Sequence, residues 1–280
     1  MLPPLADRFV AGETSADALE YADWLNESGR TAMINRLGSH HDEQSAVHED
    51  VAEYRALAER ISRAGIDASL SVKPSQLGLD FGEDVFRRYL ACVLETTQER
   101  DVFVWLDMEE STTTDPTLEV YEDFAREYGG GLGVCLQANL KRSVEDVRRL
   151  ATVPGKVRFV KGGAYDEPRS IAYRDRERMN RAYRERLEYA FGHFEDGIAV
   201  ASHDPEILSY AKALSEEFGT DLEFQMLMGV REDAQRELSR EYDVSQYVPY
   251  GERWKMYFLN RVTENRDTAR FALRAVAQAV

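Results

Sequence analysis

Short apolar runs recur along this chain, and most stop at a polar or charged residue. SLSV gives way to Lys73, VFVWL to Asp107, GVCL to Gln137, VRFV to Lys161, IAVAS to His203 and LEF to Gln225. With a first run at 31–37 and a last at 245–249, the strand-like segments are 31–37, 68–72, 102–107, 132–137, 157–161, 198–202, 222–227 and 245–249. Charged segments with helical periodicity lie between them, among them 49–64, 83–99, 144–150 and 169–194. Apolar strands alternating with amphipathic helices predict a parallel sheet covered on both faces. Eight such units favour closure into a (βα)₈ TIM-type barrel, whose C-terminal rim is where chemistry is assembled.

Ahead of the first strand, Thr14-Ser15-Ala16-Asp17 reads as a capping box opening a helix that ends near Gly29. The expected organisation is therefore an N-terminal helical segment over 1–30 and a barrel over 31–280. Pro249 cannot donate to a sheet ladder and must lie at a strand end. The glycines of Gly129-Gly130-Gly131-Leu132-Gly133 precede a strand, which suits a helix C-cap and turn better than a phosphate loop. No G-x-G-x-x-G motif follows a strand and opens a helix.

Composition narrows the function classes. The 280 residues carry 51 Asp plus Glu against 35 Lys plus Arg, a net charge of −16. Such a surface repels phosphate backbones, which argues against nucleic-acid binding. Only six of the cations are lysines. An acidic, Lys-poor surface suits a salt-rich, halophilic cytoplasm, where counterions screen the carboxylates; an ordinary acidic protein is the blander alternative. Cys92 and Cys135 form no paired framework, consistent with a reducing compartment. No apolar run approaches the roughly 20 residues of a membrane span, so the expected location is cytoplasmic, with peripheral membrane association open.

The rim positions are the candidate chemistry. A carboxylate such as Asp107, ending so apolar a strand, needs a partner to stay ionised, and Lys73 on the preceding strand can provide it. Arg158 and Lys161 share one strand at a spacing that puts them on opposite faces, unless a bulge at Gly162-Gly163 re-aims Lys161. Those two glycines let the backbone approach a flat or anionic ligand. His203 has no second His or Cys at ligand spacing, so hydrogen bonding or stacking is expected and no metal site. His40, His41 and His48 are expected at the surface, and Met226-Leu227-Met228 in the core. Trp254, Tyr257, Phe258 and Arg261 share a helix face, with Glu264 one turn beyond Arg261. An Arg ending that stripe suits two-pronged carboxylate binding.

These segments together resemble the proline dehydrogenase family, FAD-dependent (βα)₈ enzymes of proline catabolism. SVKPSQLGL, WLDMEE, CLQANLKRS, VRFVKGGAYDEP, ASHDP, EFQMLMGVR and YVPYG-x-x-W-x-x-Y carry the likeness across most of the chain, and the length suits the short, monofunctional type. The resemblance implies Lys73–Asp107 as an ion pair at the proline site, Tyr165 and Tyr247 around the ring, and Arg158 beside the flavin N5. It implies Met108, Gln137, Lys161, Gly162, Gly163, Ser202 and His203 as FAD contacts, Arg261 on the substrate carboxylate, and Glu264 behind it. Two positions depart from the family pattern. Asn260-Arg261 stands where the family has Arg-Arg, and Leu37-Gly38-Ser39 where it has Leu-Gly-Glu. Losing both members of an ion pair together leaves neither charge stranded.

The implied reaction is oxidation of L-proline to 1-pyrroline-5-carboxylate, with hydride passing from C5 to flavin N5. The implied partners are a quinone-type acceptor, at the membrane surface in some settings, and a 1-pyrroline-5-carboxylate dehydrogenase. Tyr247 against the ring favours proline over hydroxyproline. The alternatives are a flavin-dependent dehydrogenase of another cyclic or N-alkyl amino acid and a non-redox, phosphate-binding barrel.

Overall fold

The computed structural model describes residues 6–264, with side chains as far as Leu259. Eight parallel strands close into a barrel in sequential order. They are β1 (Thr31–Arg36), β2 (Ala68–Val72), β3 (Val104–Leu106), β4 (Leu132–Gln137), β5 (Lys156–Val160), β6 (Ile198–Ala201), β7 (Leu222–Leu227) and β8 (Asp243–Tyr250). The helices are α1 (Ser15–Glu27), α2 (Gln44–Ala64), α3 (Glu83–Glu99), α4 (Thr114–Tyr128), α5 (Ser143–Leu150), α6 (Arg176–Phe191), α7 (Pro205–Phe218), α8 (Glu232–Leu238) and α9 (Trp254–Glu264). Among the described residues, no helix is long and apolar enough to cross a membrane.

Alternation within each strand builds two layers. Ile34, Leu70, Val72, Val104, Leu106, Val134, Phe159, Val200 and Phe224 share one continuous apolar cluster with the buried faces of the helices. Each such side chain contributes about 1.5–3 kcal/mol on burial. The intervening residues point into the barrel, where Met33, Trp105 and Ala199 form a separate apolar floor. Gly133 pairs with Trp105 across the β3–β4 ladder. A Cβ there would lie 2.5 Å from the indole, so the last glycine of the Gly129–Gly133 stretch makes room for Trp105. Gly129 caps α4 in the left-handed conformation, φ 64°, as its position before a strand predicts.

The ring closes through β1 and β8, paired from Thr31↔Ser245 to Arg36↔Tyr250. Pairing of β7 to β8 stops at Leu227↔Tyr247, so Pro249 sits in an overhang where no β7 ladder asks for its missing N–H. The Thr14–Asp17 capping box is present at the start of α1. Ala18, Leu19, Ala22 and Leu25 of α1 join the main core, and Tyr21 hydroxyl donates to Gln246 Oε1 on β8 at 2.8 Å. Thus α1 covers the β1–β8 seam. The helix after β8 goes elsewhere: Trp254, at the start of α9, clusters with Ala6, Phe9 and Val10, and Phe258 packs on Phe9.

Three expectations shift. The helix expected over 169–194 begins only at Arg176, where the Asp175 carboxylate caps the Arg178 N–H at 2.9 Å. Upstream backbone is tied to the preceding loop instead, by Lys141 N–H to Ile171 O and Tyr173 N–H to Asn139 O. Strand β7 has the bounds the run 222–227 predicts, which makes Gln225 an inward-facing mid-strand residue and not the expected strand end. His41 is largely enclosed, its Nε2 2.7 Å from the carboxylate of buried Asp50, while His40 and His48 are exposed.

Candidate active site

At the C-terminal ends of the strands the barrel opens into a cavity of about 730 Å³, within the range of a cofactor or substrate site. Of the residues singled out from the sequence, Lys73, Asp107, Met108, Gln137, Arg158, Gly162, Gly163, Tyr165, Ser202, His203 and Tyr247 all line it. Lys161 does not. Its backbone carbonyl accepts from Asn139 N–H at 3.0 Å, and burial lowers its ammonium pKa, with Asp204 and Arg176 as the charged neighbours. The side chains of Asn260, Arg261 and Glu264 lie outside the described residues.

The charges pair differently from the expected Lys73–Asp107 bridge. The Asp107 carboxylate takes its ion pair from Arg158, on a strand two places further round, and also accepts from Ser71 Oγ at 2.6 Å. Lys73 donates to Gly38 O at 3.2 Å. Asp107 lies one residue beyond β3 and faces the interior, where the guanidinium from β5 reaches across to it. Arg158 is 4% exposed and sits over Trp105 with 5.5 Å between the guanidinium carbon and the ring centroid. Burial opposes its charge, but neighbouring Cys135 and Asp107 outweigh that and raise its pKa. Nη2 goes to Asp107, while Nη1 meets Met33 Sδ at 2.9 Å and Gln225 Oε1 at 3.4 Å. Nε is buried with no hydrogen-bond partner among the described residues.

Glu109 is the site residue that sequence reasoning left unassigned, although WLDMEE contains it. It lines the cavity while 2% exposed, and its two oxygens accept from Ser75 N–H and Ser75 Oγ, each at 2.8 Å. Burial raises its pKa; the Ser75 hydrogen bonds and then Lys73 pull it the other way. This carboxylate therefore fastens the turn after Lys73 to the loop after β3. A second fastening joins that loop to the one after β5, through Ser111 N–H and Oγ to Glu167, both 2.7 Å. Tyr257 of α9 also lines the cavity, placed there by the aromatic stripe noted in the sequence.

The remaining polar groups have defined orientations. Both amide hydrogens of Gln137 are spent on Met108 O and Glu109 O, at 3.2 and 3.0 Å, so it offers a ligand its acceptor oxygen. Leu227 N–H donates to His203 Nε2 at 3.1 Å, which puts the ring proton on Nδ1. Ser202 Oγ accepts from Asp204 N–H at 3.1 Å, just ahead of α7. Burial raises the Tyr165 and Tyr247 pKa values, so both phenols are neutral donors. Gly162 has φ 80°, and a Cβ there would collide with Asn139 Oδ1; Gly163 has φ 90°, and a Cβ there would meet only Met179 Sδ, at 3.8 Å. Its bare backbone is a place where a flat group can lie close. No cluster of three or more metal-ligating side chains occurs among the described residues.

A parallel (βα)₈ barrel whose mouth joins a buried arginine–carboxylate pair, a lysine and several phenols defines an enzyme of the TIM-barrel class. The proline dehydrogenase family model matches residues 18–274. Proline dehydrogenase 1 of Bacillus subtilis subsp. natto is 33% identical over 277 residues, covering 97% of this chain and 90% of that protein. The Deinococcus radiodurans proline dehydrogenase is 34% identical over 282 residues, with the same coverage. The chain belongs to the proline dehydrogenase family. Among solved structures, proline utilization A from Bdellovibrio bacteriovorus superposes with a TM-score of 0.84 at 23% identity, over 92% of this chain. That from Corynebacterium freiburgense gives 0.79 at 21% over 96%. This chain spans 32% of either protein, so the likeness concerns the barrel.

Proposed function

We propose that this enzyme oxidises L-proline to 1-pyrroline-5-carboxylate with FAD bound in the barrel mouth. The observation that carries the flavin is the Arg158 guanidinium, fixed on two sides and holding one buried N–H without a partner beside an open cavity. The bare Gly163 backbone, the acceptor of Gln137 and the Nδ1–H of His203 suit the polar edge of a flat heterocycle. A bound flavin supplies the hydride acceptor. The chain's own residues supply positioning, which can account for much of the rate when reacting atoms are held in line.

Arg158, kept cationic by Asp107, stabilises negative charge that develops on the acceptor. Tyr165, Tyr247 and Tyr257 wall the space beside it and exclude water from the substrate ring. Lys73 and Glu109 order the opposite wall. Arg261 holds the substrate carboxylate, with Asn260 adding a neutral hydrogen bond and Glu264 behind them. Tyr247 leaves little room for a 4-hydroxyl group, which favours proline over hydroxyproline. The acceptor for the electrons is a quinone, met by a cytoplasmic protein at the membrane surface. The product passes to a 1-pyrroline-5-carboxylate dehydrogenase. The acidic, Lys-poor composition supports a salt-rich setting.

The test is direct. Purified protein should be yellow, and anaerobic L-proline should bleach its flavin absorbance, faster than hydroxyproline does; a colourless protein, or a flavin indifferent to proline, refutes the proposal. Arg261→Met should raise KM for proline far more than it lowers flavin content. An unchanged KM removes Arg261 from the substrate site.

A further inference from the structure

We infer that Glu223, towards the closed end of the barrel, is a positioning residue for the Arg158 guanidinium, acting through Gln225. The inference rests on the flavin-dependent reading above. Strands β5 and β7 are not neighbours; β6 lies between them, and the register runs Arg158↔Ala199↔Glu223. Ala199 is fully buried and small, so side chains from the two flanking strands meet across it. Arg158 Nη1 donates to Gln225 Oε1 at 3.4 Å, Gln225 Nε2 donates to Glu223 Oε1 at 2.8 Å, and Lys156 Nζ donates to Glu223 Oε2 at 3.5 Å. A polar column thus descends from the cavity to the far end of a barrel interior of the kind usually filled by branched apolar side chains.

The column has a directional consequence. Gln225 is 2% exposed, and its amide could present either end to Arg158. The Glu223 carboxylate is acceptor-only and takes the NH₂ end, which leaves Oε1 facing the guanidinium. Reversed, the amide would set its own N–H groups against a buried cation and forfeit a charge-assisted bond. Lys156, more exposed than the rest, supplies a counter-charge to the Glu223 carboxylate. Arg158 is then held by Asp107 on one side and Gln225 on another, and Nε is the donor left over. The orientation of a group at the open end is in this way decided at the closed end.

The experiment measures the midpoint potential of the bound flavin, together with kcat and KM for proline, in Glu223→Gln and Gln225→Leu. Loss of positioning weakens stabilisation of the reduced flavin, so the potential should fall by about 30 mV in each, a tenfold change in a two-electron equilibrium. In each, kcat should fall about tenfold while KM moves less than about twofold. Removing a carboxylate acts the other way if only its field matters, raising the potential; a raised or unmoved potential in both variants overturns the inference. Should Glu223→Gln fail to fold, Glu223→Asp takes its place, because the shorter side chain withdraws the carboxylate from the Gln225 amide while keeping the charge, and an unmoved potential there overturns the inference. Wild-type protein that binds no flavin would overturn the flavin reading and this inference together, whereas flavin-loaded variants with wild-type potentials overturn the inference only.

Discussion

Deleting the Asp107 carboxylate should destabilise this protein more than its place at the edge of an open cavity suggests. Among the described residues Asp107 is the sole ion-pair partner of Arg158, whose side chain is 5% exposed. Asp107→Ala leaves a guanidinium in the barrel interior with Gln225 Oε1, Met33 Sδ and the neighbouring Cys135 thiol as weaker partners, and takes the acceptor from Ser71 Oγ. Breaking one half of a buried pair costs about 3–5 kcal/mol. The open cavity lets water reach the exposed edge of the pair, so the lower end, about 3 kcal/mol, applies. For a chain of this size that corresponds to a fall in Tm of roughly 6–12 °C. Asp107→Asn retains an oxygen for Ser71 and should cost less. Replacing both partners, as in Asp107→Ala with Arg158→Met, removes the stranded charge and should be milder than the sum of the single changes, with a coupling of about 2–3 kcal/mol. Urea unfolding at one fixed flavin concentration is the assay, since bound cofactor adds stability by mass action. Additive single-mutant costs would refute the reasoning.

Glu109 and Gly133 give further tests. Burial raises the Glu109 pKa above its ordinary 4.5, so the folded protein binds this proton more tightly than the unfolded chain. Its contribution therefore favours folding at acid pH and is lost as pH rises through the folded value. Glu109→Gln should flatten that dependence and be no less stable than wild type at about pH 7, its amide still able to serve both Ser75 groups. Melting curves from about pH 4 to 8 check this, and a variant with wild-type pH dependence would contradict it. Gly133→Ala places a Cβ 2.5 Å from Trp105 and 2.8 Å from the Lys156 carbonyl oxygen, and should cost about 1–3 kcal/mol by overpacking. A neutral effect on the urea midpoint would show that the floor is loosely packed.

Much of the architecture is local and therefore readable along the chain. Parallel strands buried on both faces must be short and apolar, so eight such runs announce eight strands. The Thr14–Asp17 box and the left-handed Gly129 act on their immediate neighbours. The cavity roster was legible for the same reason: Lys73, Asp107, Gln137, Ser202 and His203 sit where strands end, and in a parallel barrel all C-terminal ends meet on one side. Residues such as Gln225 and Cys135 were harder to assign because they face inward from mid-strand, where only the phase of the alternation marks them.

What sequence could not decide is which groups touch. Order along the chain suggested that Asp107 pairs with Lys73 on the adjacent strand, yet the partner is Arg158, reached across the barrel. The closure of the sheet brings together strands far apart in order, and a long guanidinium spans a gap that a strand-end ammonium, held by Gly38 O, does not. The helix after β8 leaves the β1–β8 seam to α1 and takes Tyr257 to the mouth, because Trp254 and Phe258 bury themselves against Phe9 and Val10. The pattern of apolar and polar positions thus determined the elements and their common rim. Pairing across the interior depends on register, reach and burial in three dimensions, and only the folded barrel supplies those.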